Sequence, residues 1–171
     1  MSEVNFTHLL FDTMTAWRVA VVRLVQIEQQ DFEAFLERGI REYAEDHVRN
    51  ENWPAEGALE RSGEQFEKLL PGGIHSKHQH LWSIIDDDNN KIGVLWVQVK
   101  DGKAFIFDFF INEAFRGRGY GKQALAAMDE KLKAMDVESV ALHVFGDNIT
   151  AQELYKRMGF EISGIHMRKK L

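Results

Sequence analysis

Arg116-Gly117-Arg118-Gly119-Tyr120-Gly121-Lys122 sets three glycines among three cations. Before it, residues 104–111 carry the aromatic and β-branched run of a strand. After it, Leu125, Met128, Leu132 and Met135 recur at helical spacing. The segment is therefore a turn from a strand into a helix. Such a turn can hold an anion, because glycine lets the backbone approach closely and the unpaired N–H groups of a helix start carry about half a positive charge. Arg116, Arg118 and Lys122 strengthen that field. A glycine-rich turn alone also serves simply to enter a helix, and two nucleotide loops do not fit this one. A Walker A loop needs glycine where Arg116 stands and Ser or Thr where Gln123 stands. A dinucleotide fingerprint needs glycine at Lys122 and a run of parallel βαβ units around it.

Working outward, residues 91–99 and 81–85 read as two more strands, separated by turn-forming stretches, Asp101-Gly102 and Asp86-Asp87-Asp88-Asn89-Asn90. Three strands in succession make an antiparallel meander. Further upstream, Phe32, Phe35, Leu36, Ile40 and Tyr43 predict a helix over 31–48, and a second helix falls near 59–70, stopped by Pro71-Gly72-Gly73. Val19, Val21, Val22, Val25 and Ile27 predict a first strand over 17–27. Downstream of the glycine-loop helix, a strand is expected at 139–145, a helix at 149–158 capped by Gly159, and closing strands in 160–171. The order is strand, two helices, three strands, helix, strand, helix and two strands: a mixed α/β sheet.

The totals bound what this fold can serve. With 171 residues, 44% of them apolar, the chain suits one domain, expected over 17–171 behind an N-terminal extension at 1–16. A net charge of -6 argues against nucleic acid as the partner, so any phosphate must be bound locally. No cysteine is present, which excludes disulfides, thiolate zinc sites and a cysteine nucleophile. Residues 1–16 carry Glu3 and Asp12 and lack a basic start leading into an apolar run, so they do not read as a signal peptide, and no run approaches the roughly 20 apolar residues of a membrane span. A cytoplasmic protein is the expectation, with no membrane partner.

Arg116, Gly119 and Gly121 fill the pattern Arg or Gln, two residues, Gly, one residue, Gly or Ala. Asn148, Ala151, Leu154, Tyr155, Gly159 and Phe160 fill a second pattern, Asn-x-x-Ala-x-x-Leu-Tyr-x-x-x-Gly-Phe. With both patterns the chain resembles the GNAT acetyltransferase superfamily, in particular its small bacterial members. The likeness spans about 17–171 and is specific after Ala104.

The resemblance implies the GNAT acyl-CoA N-acyltransferase fold and an acyl-CoA-dependent N-acetyltransferase that moves an acetyl group from acetyl-CoA to a primary amine by direct attack. It implies a diphosphate held by Arg116, Gly117, Arg118, Gly119, Tyr120, Gly121 and Lys122, a pantetheine arm lying along Phe109, Phe110 and Ile111, and a further cofactor contact at Asn148. An N–H near Phe109 would meet the thioester carbonyl, although Phe105, Phe107 and Phe109 also suit an ordinary buried strand. Tyr155 matches the tyrosine beside the sulfur that protonates the thiolate; packing alone would also account for it. His143 stands where some members carry the base, with Asp108 to orient it or to bind the amine. The same two residues could instead hydrogen-bond each other for structure. Pairing of sheet edges in similar proteins leaves a homodimer open.

Other features have plainer readings. His75, His78 and His80 fit no metal-ligand spacing, so no metal is expected. Asp86, Asp87 and Asp88 read as solvated turn acids, and Trp82 and Trp96 as core or cleft wall. Two alternatives to an acetyltransferase remain: a transferase of another acyl-CoA, and a non-catalytic acyl-CoA-binding module. Retention of Tyr155, His143 and Asp108 favours catalysis.

Overall fold

The structure, a computed structural model, describes residues 22–171. The expected extension at 1–16 and the start of the first strand at 17–21 lie outside the described residues. The elements are β1 (Arg23–Gln26), α1 (Gln29–Arg49), α2 (Ala58–Leu69), β2 (Gln79–Ile85), β3 (Lys91–Lys100), β4 (Lys103–Ile111), α3 (Tyr120–Lys133), β5 (Ser139–Leu142) and α4 (Ile149–Arg157). They build one five-stranded sheet in the order β1-β2-β3-β4-β5. The first four strands are antiparallel neighbours. β5 runs parallel to β4, as it must after the α3 crossover.

The alternation of side chains along β3 sorts the core into two layers. Leu95 and Val97 face α3, where they meet buried Ala124, Leu125, Met128 and Leu132. Trp96, between them, faces α1 and α2 and packs with Phe35 and Phe66. Its indole N–H is satisfied by Gln79 Oε1 at 2.7 Å. Met135, expected on the α3 core stripe, is 40% exposed because the helix has already ended.

The turns behave as their chemistry predicts, with one exception. Asp101 and Gly102 take φ of 50° and 72° between the paired residues Lys100 and Lys103, the two-residue hairpin that favours Asp-Gly. Asp86, however, is not a solvated acid. It is 3% exposed, and its Oδ1 accepts the amides of Asp88 at 3.0 Å and Asn90 at 2.8 Å. Its carboxylate organises the β2–β3 turn.

The closing strands expected in 160–171 do not form, and the sheet ends at β5. Ser163-Gly164 breaks the two-residue alternation between Ile162 and Ile165, so no single face of that segment is apolar. Ile162, Ile165 and Met167 are exposed, while Arg168 donates to the Glu51 carbonyl at 2.5 Å. β5 is also shorter than the expected 139–145. The cause lies in β4.

Candidate active site

In β4, Asp108 pairs with Trp96 and Ile106 with Val97, which leaves Phe107 as an extra residue with no partner on β3. Such a bulge bends its strand and raises the local twist. Pairing with β5 stops at the same level, at Ile106 against Leu142. Residues 107–111 therefore run on without β5 beside them, and His143, Val144 and Phe145 leave the sheet. Between the diverging segments lies a cleft of about 1560 Å³, lined by β4, the glycine loop, α4 and one side of α1.

The bulge also exchanges the faces of β4. Ala104 and Ile106 point toward α3, and continued alternation would carry Asp108 into that apolar layer. With one residue inserted, Phe109 and Ile111 take the α3 side instead. Asp108 turns toward α1 and meets the Arg38 guanidinium in a short charged hydrogen bond. Burial pushes the Asp108 carboxyl up, and the adjacent Arg38 charge holds it back.

The glycine loop forms one end of the cleft. Gly117 and Gly119 have φ of 73° and 81°, in the left-handed region that favours glycine, and a Cβ on Gly117 would meet nothing within 4 Å. Gln123 donates the first bond of the helix start, to Gly119 O at 3.2 Å. The amides of Tyr120, Gly121 and Lys122 consequently have no partner within α3. Arg116 is braced by its Nε, which donates to Ile111 O at 2.8 Å. Gly121 serves packing as well: a Cβ there would lie 3.2 Å from Leu154 and 3.8 Å from the Phe109 ring. These features fit a diphosphate at the helix start and an extended arm along β4.

α4 brings Tyr155 to the same cleft, with its ring 6.5 Å from that of Phe109 and 5.5 Å from that of Phe160. Burial, and then the Asp108 charge, raise its phenol to about 12. Tyr155 thus stays protonated over the whole neutral range. Asn148 caps α4, its Oδ1 accepting the Ala151 amide at 3.1 Å. That bond explains the residue structurally, and the residue also lines the cleft.

His143 stands one residue past β5, exposed, with its ring 5.2 Å from Phe145. It lines the cleft, but the Asp108 carboxylate is bonded to Arg38 and forms no hydrogen bond to His143. The orienting pair expected from the sequence is not present. Beyond Phe145 lies a residue that the sequence reading passed over. His47 stacks on Trp53 at 3.9 Å and sets its edge against Phe145 at 5.2 Å, and its buried Nδ1 has no hydrogen-bond partner among the described residues. Burial, helped by the nearby charges of His143 and Arg61, lowers its pKa. Arg38 and Glu42 were also passed over. Their only sequence signal was a four-residue spacing, which any exposed helix pair can show.

Comparison with known proteins places this geometry. The model of the acetyltransferase (GNAT) family matches residues 41–160. Over 154 residues the chain is 37% identical to YycN, an uncharacterised N-acetyltransferase of Bacillus subtilis (strain 168), covering 88% of this chain and 99% of that one. The crystal structure of YycN superposes with a TM-score of 0.85 over the same shares of the two chains. YdgE, another uncharacterised N-acetyltransferase of that strain, is 34% identical over 152 residues, covering 86% of this chain and 97% of its own. A shorter likeness, 36% over 66 residues, joins 38% of this chain to 43% of the spermine/spermidine N(1)-acetyltransferase of the same organism. By its family model, its relatives and its fold, the chain belongs to the GNAT family of acetyltransferases.

Proposed function

We propose that this protein transfers the acetyl group of acetyl-CoA to a primary amine of a small molecule or peptide by direct attack. The observation that carries the proposal is the bulge at Phe107, which leaves the β4 edge unpaired by β5 between the glycine loop and Tyr155. In this reading the amides of Gly117 to Lys122, with Arg116 and Arg118, hold the diphosphate, and the pantetheine arm lies along Phe109, Phe110 and Ile111 in place of a strand. The Phe109 amide faces the thioester oxygen as negative charge grows on it. The amine nitrogen attacks the carbonyl carbon, the C–S bond breaks, and the departing thiolate takes the Tyr155 phenol proton. The ammonium proton passes to His143 or through water, and Asp108 binds the amine. The products are an amide and free CoA, and solvent reprotonates Tyr155.

The spermine/spermidine relative supports an amine acceptor, since its name states one. Calorimetry with acetyl-CoA tests binding, and thiol release across a panel of amines tests transfer. Binding with release for at least one amine is expected. Tight binding with release for none would favour a non-catalytic acyl-CoA module.

A further inference from the structure

Arg38 is held on three sides inside the wall of the cleft. Its side chain is 14% exposed, one guanidinium nitrogen meets Glu42 Oε2 at 2.6 Å, and another meets Asp108. Its Cζ lies 4.0 Å from the centre of the Phe110 ring. Asp108 is itself only 20% exposed. Arg38 thus grips, from α1, the first residue of β4 beyond the bulge and stacks on the residue two positions later. A fixed planar fork bound to a carboxylate sets its direction as well as its charge. A purely stabilising pair could sit anywhere on the β4–α1 contact. This one lies where the strand leaves β5 and where an acceptor amine would approach.

We propose that Arg38 is a positioning residue for acetyl transfer: its fork aims the Asp108 carboxyl group at the acceptor amine. The inference rests on the acetyltransferase reading above. Among the described residues, the titratable and charged groups that face Asp108 are Arg38 and Glu42 of α1 and Tyr155 of α4. Of these only Arg38 is a cation. Its removal leaves burial and Glu42 to favour the protonated carboxyl.

The experiment compares wild type, Arg38→Met, Arg38→Lys and Asp108→Asn with the best amine of the panel. For Arg38→Met we expect the amine KM to rise at least about tenfold. The acidic limb of kcat/KM should move up by about one pH unit, because a carboxylate that has lost its cation ionises at higher pH. Acetyl-CoA affinity by calorimetry should change less than the amine KM, since Arg38 touches the proposed cofactor wall only through the Phe110 ring, and Arg38→Lys should recover part of the loss. In Asp108→Asn the further change Arg38→Met should add little, as expected of coupled groups. An unmoved acidic limb and amine KM in Arg38→Met, with only melting temperature lowered, would overturn the proposal and leave the acetyltransferase reading standing. Should Arg38→Met not fold, the same readouts in Arg38→Lys decide: loss of the fork must still raise KM. A wild type that binds acetyl-CoA yet releases no thiol would sink both readings.

Discussion

A methyl group on the Gly93 Cα would lie 2.1 Å from the carbonyl oxygen of Phe110. No rotamer relieves such a clash, because both atoms belong to backbone of paired strands. Gly93 is thus what lets β3 carry the far end of β4, from Phe109 to Ile111, past the bulge.

Gly93→Ala should therefore destabilise the fold by about 3 kcal/mol, the upper part of the usual overpacking range. Chemical denaturation measures it. Acetyl-CoA affinity should fall with stability, because the displaced residues are those proposed to meet the pantetheine arm.

Gly117→Ala has no clash to relieve, yet φ of 73° is costly for any residue with a Cβ. The expected cost is about 1–2 kcal/mol. If the loop binds diphosphate, calorimetry with CoA should show weakening beyond that found for a substitution of equal stability cost elsewhere.

Tyr155→Phe should lower kcat about a hundredfold and leave acetyl-CoA affinity nearly unchanged. Because its phenol is raised to about 12, the acid form persists well past pH 10. A kcat that falls in wild type through pH 10, in step with an ordinary phenol, would contradict this assignment.

His143→Ala should erase or shift one limb of the pH–rate profile if this imidazole takes the amine proton. An unaltered profile would pass that role to water. The exposure of His143 makes loss of stability a minor concern.

His47 makes a separate prediction about folding. Its folded pKa lies below the unfolded value, so its contribution is complete above about pH 6.5 and is lost as pH falls through the lower folded pKa. On acidification from pH 7.5 to 5.5, wild type should lose more melting temperature than His47→Gln. Equal losses would show that His47 titrates alike in both states.

The legible parts of this molecule are those with local signals. Helical spacing located α1 and α3, Asp101-Gly102 marked its hairpin, and the two glycine- and tyrosine-bearing patterns marked the loop and α4. Each depends on contacts within a few residues, where backbone geometry and side-chain period act directly. The closing strands failed as an expectation because apolar content was present but alternation was not.

By itself, then, the sequence determined the order of elements as far as α4, the glycine turn after Arg116 and the tyrosine-bearing pattern of α4. Only the tertiary structure decided which way Asp108 points. Strict alternation from Ile106 leads toward α3; the unpaired Phe107 sends the carboxylate to Arg38, some seventy positions earlier in the chain. Side-chain period is a property of one strand, but a bulge is defined only against its neighbour, so no reading of β4 alone could have found it.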